Sequence, residues 1–223
     1  YDKAIVVQNC TDSITNSVVE FTITQLLLLS KKIIIANTTT KNGQWNKESY
    51  KSRELKDKNL GIIGFGRIGC KVSIIAKSLG MQVLAFDPYV DAETMQKYFA
   101  DKVDFDFLIC QSDFITLHLP FNEETKNLIN KNVIKKMKKT VGLINNSRGG
   151  IVNEVDLANA IVDRKISNVA IDVWSNEPTN KDNLLLDYDT TLCTPHIAGS
   201  TYESQEQVGL DAANQIIDAF IHK

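Results

Sequence analysis

The chain has 223 residues, of which 43% are hydrophobic and 23% are charged, a composition typical of globular proteins. Its 25 Lys and Arg and 27 Asp and Glu give a net charge of −2, which argues against nucleic acid or an anionic membrane as the main partner. The length fits one large domain, or one and a half ordinary ones. Because the chain starts at Tyr1, without Met or a signal-peptide pattern, we expect it to be a fragment.

The cysteines and histidines give no sign of a disulfide framework or a metal site. Cys10, Cys70, Cys110 and Cys193 lie 60, 40 and 83 residues apart and form no CxxC pair, which is typical of scattered thiols in a reducing compartment. Three histidines are too few for a histidine-rich metal site, and no apolar run is long enough to span a membrane. We therefore expect a cytoplasmic protein without a bound metal.

The first quarter of the chain predicts a strand at 4–7 and one long helix. Ser17 and Glu20 have the spacing of a capping box, which would open a mostly apolar helix over 17–37. A helix that is apolar on most faces is buried in a domain or in a subunit interface. Residues 38–59 are polar, carry Trp45 and are predicted to be surface loop.

From residue 60 onward, short β-rich runs alternate with helical segments. The predicted strands are 60–63, 82–86, 114–117, 141–144, 169–172 and 191–194, and the predicted helices are 67–79, 92–99, 104–110, 131–137, 154–164 and 202–221. Strands without polar alternation, separated by helices, indicate a parallel sheet covered on both faces. The predicted fold class is α/β, with a doubly wound (Rossmann) parallel sheet.

A glycine-rich turn follows the strand at 60–63 and opens a helix. Gly64, Gly66 and Gly69 have the GxGxxG spacing, and Arg67 and Ile68 stand between the last two. The first glycine would permit a tight turn, the second would let the backbone approach a pyrophosphate, and the third would let the helix pack closely. The helix N-terminus and Arg67 would bind the phosphates. The plainer alternative is a glycine-rich turn without a ligand.

An acidic residue strengthens the prediction of a dinucleotide. Asp87 ends the next strand, 18 residues after Gly69, where a carboxylate can accept hydrogen bonds from both ribose hydroxyls. The same charge would repel a 2′-phosphate, and Pro88 and Tyr89 follow it instead of an arginine. The predicted cofactor is therefore NAD and not NADP.

Three side chains follow later strands, at the edge where a doubly wound sheet collects its ligands. Arg148 can hold a substrate carboxylate with two parallel hydrogen bonds. His196 is suited to proton transfer with a hydroxyl, and Glu177 can fix the tautomer of a neighbouring imidazole. Together with a nicotinamide, this trio describes hydride transfer between a 2-hydroxy acid and NAD.

Each of these residues also has a plainer interpretation. Alone, Glu177 is a surface acid before a proline, Arg148 is a surface arginine, and His196 is a packed or solvated histidine. Their joint placement behind a nucleotide-binding turn favours a catalytic site. His118 is interpreted as structural or as lining the cofactor side, and His222 as solvated.

Four stretches together resemble one known family. They are 60–69 (LGIIGFGRIG), 146–150 (NSRGG), 170–178 (AIDVWSNEP) and 194–201 (TPHIAGST). In this order and spacing they are similar to the D-isomer-specific 2-hydroxyacid dehydrogenases, over nearly the whole chain. The resemblance implies that Arg148 binds the substrate carboxylate and carbonyl, and that His196 is the acid/base with Glu177 as its partner.

The resemblance also implies cofactor contacts. They are Asp172 at the nicotinamide carboxamide, with Pro120 and Ser147 against the cofactor. Glu177 argues against the formate dehydrogenase branch, which has Gln at the matching place.

The stretches 43–47 (GQWNK), 196–205 and 208–210 resemble the phosphoglycerate dehydrogenase branch more than the glyoxylate or hydroxypyruvate reductases. The expected substrate is therefore 3-phosphoglycerate, as in serine biosynthesis. A glyoxylate/hydroxypyruvate reductase and a D-lactate dehydrogenase remain alternatives.

The resemblance divides the chain into three parts. Residues 1–15 would be a remnant of a flavodoxin-like substrate domain, 16–200 the NAD-binding Rossmann domain, and 201–223 a helix returning toward the substrate domain. Because most of that substrate domain is absent, we expect NAD binding, while turnover by this chain alone is in doubt.

The resemblance leaves one rival functional class and suggests two partners. The C-terminal-binding corepressors keep the same trio, so a non-enzymatic NAD(H)-sensing binding protein is an alternative. The expected partners are a small 2-hydroxy or 2-oxo acid and a second copy of the chain. The homodimer would form through the helix at 17–37.

Overall fold

The computed structural model describes residues 9–10, 12–45, 47–166 and 168–221. The strand predicted at 4–7 and the predicted solvation of His222 lie outside these residues. Within the described ranges, seven parallel strands form one sheet in the order β3-β2-β1-β4-β5-β6-β7. The predicted doubly wound α/β fold is confirmed.

The elements alternate along the chain as the sequence predicts. The strands are β1 (Asn59–Ile63), β2 (Gln82–Phe86), β3 (Asp101–Lys102), β4 (Phe114–Leu117), β5 (Gly142–Asn145), β6 (Asn168–Ile171) and β7 (Thr191–Cys193). The helices are α1 (Thr15–Lys31), α2 (Ile33–Lys41), α3 (Arg67–Ser78), α4 (Ala92–Lys97), α5 (Phe105–Gln111), α6 (Lys131–Ile134), α7 (Glu154–Val162) and α8 (Tyr202–Ile221). Short 3₁₀ helices span Lys47–Tyr50 and Leu184–Asp187.

Two apolar clusters cover the two faces of the sheet. On one face, central-strand residues such as Leu143 pack with Leu157 of α7. On the other face, Ile62 and Ile144 pack with α1 and α3, for example with Leu26. The strand order reverses between β1 and β4, and this reversal is where a doubly wound sheet opens a crevice for a ligand.

The single long helix predicted at 17–37 is wrong. The chain breaks at Lys32, whose φ of 54° is left-handed and cannot continue a helix. The predicted capping box is also wrong, because α1 follows Ile14 without a side-chain cap. Ser17 instead donates to the carbonyl oxygen of Ala198 at 2.6 Å, which ties α1 to the loop after β7.

Smaller differences have simple causes. Strand β3 was not predicted, since it has two residues and both are exposed, so no apolar run marks it. The polar segment 38–59 contains the end of α2 and a 3₁₀ helix, while Trp45 is 86% exposed as expected for a surface segment. Among the described helices, none has the length and apolar character needed to cross a membrane.

Candidate active site

The residues just after the central strands continue the ladder and therefore share one edge of the sheet. The amide of His118 donates to Ile63 O at 2.8 Å, and the amide of Asp172 donates to Asn145 O at 3.0 Å. Because all strands run parallel, the loops that follow them converge on this carboxyl edge.

The three glycines of the turn after β1 differ in what surrounds them. Gly64 has φ +90°, and a Cβ there would lie 2.4 Å from His118 O. A Cβ on Gly69 would lie 2.5 Å from Gly64 O, whereas a Cβ on Gly66 would meet nothing within 4 Å. The first and third glycines are thus needed for the turn and for close packing. Gly66 faces open space, which fits the approach of a pyrophosphate to the backbone.

The side chains between these glycines are already engaged. Arg67 forms an ion pair with Asp12, and Ile68 packs against the apolar cluster under α3. The first turn of an α-helix has amide groups without intrahelical acceptors, so α3 offers backbone donors for a phosphate. A phosphate contact by the guanidinium of Arg67 would require its present ion pair to rearrange.

Asp87 is fixed beside this turn. Its Oδ2 accepts from the amide of Phe65 at 2.8 Å, and its Oδ1 accepts from the amide of Tyr89 at 2.9 Å. Each carboxylate oxygen can accept a further hydrogen bond, so the ribose hydroxyls predicted to bind here have acceptors available. The residues present therefore fit a dinucleotide with an unphosphorylated ribose.

His196 and Glu177 are brought together at the other side of the crevice. His196 Nδ1 and Glu177 Oε2 lie 2.7 Å apart. The second carboxylate oxygen, Oε1, accepts from the amide of Trp174 at 2.9 Å. An ionised carboxylate only accepts, so Nδ1 carries the proton in this bond and the other ring nitrogen is left for substrate.

The environment keeps Glu177 ionised. Burial acts to raise the pKa of Glu177, but the hydrogen bond from His196 and the amide of Trp174 act against it. The charges of His196 and Arg148 add to the lowering, and the net pKa of Glu177 lies below its ordinary value.

A cavity of about 260 Å³ contains two members of the predicted trio. Its lining includes Arg148, His196, Asn146 and Gln205, with Ile14 and Val18 of the α1 segment. Arg148 is exposed, and its Nη1 donates to Ser147 O at 2.6 Å. The geometry thus offers a guanidinium for a carboxylate and an imidazole for a hydroxyl in one cavity.

Asp172 holds the loop that carries His196. Its side chain has 0% exposure. Oδ1 accepts from Thr194 Oγ1 at 2.6 Å and from the amide of Ile197 at 2.9 Å, and Oδ2 accepts from the amide of Ala198 at 2.8 Å. These bonds fix a loop in which His196 has a left-handed φ of 55°, a strained conformation that costs about 1–3 kcal/mol and is common at active sites.

Comparison with known proteins decides the family. The sequence pattern of the D-isomer specific 2-hydroxyacid dehydrogenase NAD-binding domain matches residues 23–198. The chain belongs to this family. It therefore contains the family's NAD-binding domain, and NAD is the cofactor.

Individual relatives agree with this assignment. The chain is 41% identical to D-3-phosphoglycerate dehydrogenase of Archaeoglobus fulgidus, over 97% of this chain and 41% of that protein. It is 37% identical to hydroxypyruvate reductase of Thermotoga maritima, over 96% of this chain and 70% of that protein. The crystal structure of D-lactate dehydrogenase from Aquifex aeolicus with NAD and lactic acid superposes with a TM-score of 0.91 at 30% identity, over 99% of this chain and 71% of that chain. The chain spans about two fifths of the phosphoglycerate dehydrogenases that it matches.

Two further predicted cofactor contacts of the dehydrogenase domain differ in exposure. Ser147 is buried, and its amide and hydroxyl both donate to Asn145 Oδ1, at 3.2 and 2.9 Å. Pro120 is exposed, and its carbonyl oxygen accepts from Thr125 Oγ1 at 2.7 Å. Their contact with the cofactor remains a prediction, as does that of Asp172 with the carboxamide.

His118 lies at the crevice, but its ring contacts the interior of the domain. Its Nε2 is 3.1 Å from the buried hydroxyl of Thr116, while Nδ1 is shielded from solvent and has no hydrogen-bond partner among the described residues. Burial lowers the pKa of His118 to about 3, so the ring is neutral at physiological pH. This agrees with a structural histidine better than with an acid/base.

The sequence pattern does not single out the residues that support Arg148, Glu177 and His196. Trp174 is buried, and its Nε1 donates to Thr194 O at 3.0 Å, next to the loop of His196. Asn145 Nδ2 donates to Arg148 O at 3.2 Å. Their positions within the same post-strand segments were the available signal, but no spacing rule distinguishes such supporting side chains from neighbours.

Proposed function

We propose that this chain supplies the cofactor site and the catalytic trio of an NAD-dependent D-2-hydroxyacid dehydrogenase. The observation that carries the proposal is the cavity lined by Arg148 and by His196, whose ring is bonded to Glu177, at the strand edge that also bears the Gly66 turn. The proposed domain boundaries are 1–15 for the remnant of a substrate domain, 16–200 for the NAD-binding domain and 201–223 for the returning helix.

Each side chain of the trio has a step in the proposed reaction. Arg148 would hold the substrate carboxylate through two parallel hydrogen bonds. His196 Nε2, the ring nitrogen that does not bond Glu177, would accept the hydroxyl proton as the 2-hydroxy acid is oxidised. Glu177 would stabilise the imidazolium that forms. NAD⁺, when bound, would supply the acceptor for the hydride that leaves C2, so that the products would be the 2-oxo acid and NADH.

3-Phosphoglycerate is the substrate that we propose. Several similar relatives carry the name D-3-phosphoglycerate dehydrogenase, which supports this choice over hydroxypyruvate and lactate. Among the described residues that line the cavity, Arg148 is the sole Lys or Arg. Groups that bind the substrate phosphate would therefore come from outside this lining.

The substrate is tested with full-length protein, NADH and a panel of 2-oxo acids. We expect 3-phosphohydroxypyruvate to give the highest kcat/KM, ahead of hydroxypyruvate, glyoxylate and pyruvate. Arg148→Lys keeps the charge but loses the planar pair of donors, so it should raise KM for every member of the panel. A higher kcat/KM for pyruvate or glyoxylate would contradict the proposed substrate.

A homodimer through α1 and α2 is part of the proposal. Ile33 and Ile34 are 49% and 47% exposed, and α2 has no buried residue. Burying such apolar side chains in a second copy would stabilise a dimer. Ile34→Glu should shift the mass in solution from dimer to monomer, whereas Val162→Glu, at an exposed apolar position on α7, should not. A wild-type monomer at high concentration would contradict the dimer.

We also propose a cytoplasmic location. All four cysteines are free thiols and none is paired with another, which suits a reducing compartment. Fractionation of cells that express the tagged protein checks this proposal.

A further inference from the structure

Glu154, at the start of α7, bonds to two points of the loop that carries Glu177. Glu154 Oε1 accepts from the amide of Ser175 at 2.6 Å. Glu154 Oε2 accepts from Asn183 Nδ2 at 2.7 Å. Residues 175–183, the Glu177 loop, are thus bonded to one carboxylate near each end.

The carboxylates of Glu177 and Glu154 accept hydrogen bonds from two consecutive backbone amides. The amide of Trp174 donates to Glu177 Oε1 at 2.9 Å, and the next amide, that of Ser175, donates to Glu154. A shift of Ser175 would therefore move the peptide that orients the Glu177 carboxylate. Glu177 Oε2 is in turn bonded to His196. The position of Glu154 therefore affects the acid–base pair through the backbone between Trp174 and Ser175.

The Glu177 loop and α7 enclose a cavity of about 210 Å³. Its lining includes the polar residues Asn176, Thr179, Asn180 and Asp182 beside Glu154 and Asn183, together with the apolar residues Val155, Ala158 and Leu184. Because a cavity lies between the loop and the helix here, the hydrogen bonds of Glu154 bridge a part of this boundary that close packing does not fill.

We propose that Glu154 is a positioning residue for the catalytic pair, acting through the peptide that joins Trp174 and Ser175. The proposal rests on the proposed dehydrogenase function. We call the bonds of Glu154 to Ser175 and Asn183 the Glu154 clamp. Without this clamp, the Glu177 loop shifts and the bond between Glu177 and His196 loosens. A displacement of about 1 Å at a catalytic group costs up to about 100-fold in rate.

The chain provides a matched control in the same helical turn. Asp156 Oδ2 accepts from the amide of Lys131 at 2.8 Å, so it also binds a backbone amide, but that of α6. Glu154→Gln and Asp156→Asn each remove one negative charge at the N-terminus of α7. Only the first places an amide donor against the donors of the Glu177 loop.

A second variant reaches the same clamp from the other side. Asn183→Asp keeps the oxygen that accepts from the amide of Leu185 at 3.1 Å, but it opposes the carboxylate of Glu154 with another carboxylate. Asn183→Asp takes the place of Glu154→Gln as the test variant if Glu154→Gln fails to fold.

The experiment compares these variants in the full-length protein. We expect Glu154→Gln to lower kcat by about 10- to 100-fold, with the Kd of NADH from fluorescence titration unchanged within about twofold.

The charged groups facing Glu177 are His196 and Arg148, and Asp182 lies near Glu154. With the Trp174 bond weakened, the pKa of Glu177 should rise, so the acid limb of the kcat/KM profile moves to higher pH. Asp156→Asn should leave the rate and profile unchanged.

A spectroscopic measurement separates this inference from the activity itself. The proton shared by His196 and Glu177 should give a low-field NMR resonance that Glu177→Gln removes. We expect Glu154→Gln or Asn183→Asp to shift or broaden this resonance, and Asp156→Asn to leave it in place. If the wild-type protein reduces no 2-oxo acid, the proposed function fails, while the resonance still tests the clamp. Equal spectra and rates for the Glu154 and Asp156 variants would overturn the inference.

Discussion

The imidazole of His196 and the carboxylate of Glu177 are joined by a 2.7 Å hydrogen bond between Nδ1 and Oε2. The two residues come from different loops, after β7 and after β6. Asp172 fixes the first of these loops by accepting from Thr194, Ile197 and Ala198. The fold therefore gives the pair a defined geometry.

Replacing the imidazole should stop proton transfer and leave cofactor binding intact. For His196→Ala in the full-length protein we expect kcat to fall by about 10²–10⁴, the usual contribution of a general acid or base. The Kd of NADH should remain within about twofold, because the nucleotide turn is on another loop. Steady-state kinetics and fluorescence titration measure the two quantities, and an unchanged kcat would exclude His196 from this role.

The three glycines of the nucleotide turn should separate binding from folding. A methyl group at Gly66 would meet open space, so Gly66→Ala should keep the free energy of unfolding near wild type but weaken NADH binding by about tenfold or more. Gly69→Ala would place Cβ 2.5 Å from Gly64 O, which forces the helix away and should lower stability.

Thermal unfolding without cofactor and NADH titration distinguish these effects. Equal loss of stability in both glycine variants would contradict the assigned roles, as would normal NADH affinity in Gly66→Ala.

Asp87 should set the preference for NAD over NADP. Its carboxylate is fixed by the amides of Phe65 and Tyr89, and a 2′-phosphate next to it would be repelled. We expect kcat/KM to favour NAD by about 100-fold or more, and Asp87→Asn to reduce that ratio by roughly tenfold while keeping an acceptor for Phe65. Similar kcat/KM values for the two cofactors in the wild type would refute this reading of Asp87.

His118 should make stability depend on pH. Burial lowers the pKa of His118 to about 3, whereas an unfolded chain has a value near 6.5. Between these values the unfolded chain binds a proton that the folded chain does not. The free energy of unfolding should therefore fall as the pH drops below about 6.5, by up to about 1.4 kcal/mol per pH unit.

The control for this effect is His118→Gln, which cannot titrate. Urea unfolding at several pH values between 5 and 7 should show a smaller slope in the variant than in the wild type. Equal slopes would mean that folding does not lower the pKa of His118.

The sequence was most informative where one local rule applies. The strands 82–86 and 114–117 and the helix 202–221 have the predicted bounds, because each is an apolar or periodic run between clear turn residues. The GxGxxG spacing likewise predicted three different backbone environments, and the structure shows them at Gly64, Gly66 and Gly69.

Prediction failed where contacts between distant segments decide the structure. The left-handed Lys32 that splits the first helix has no glycine or proline to mark it. Ser17 has the capping-box spacing, but its hydroxyl bonds Ala198, 181 residues away. The bonds of Asp172 to the His196 loop and of Glu154 to the Glu177 loop depend on the packed sheet, so no local pattern could reveal them.

The central claim is tested most directly by following NADH oxidation with 2-oxo acids in the full-length protein. We predict turnover of at least one of 3-phosphohydroxypyruvate, hydroxypyruvate, glyoxylate and pyruvate, formation of the D-hydroxy acid, and loss of that turnover in His196→Ala. NADH binding without oxidation by any of these acids, while a redox-dependent protein partner binds, would contradict the dehydrogenase and favour an NAD(H)-sensing protein.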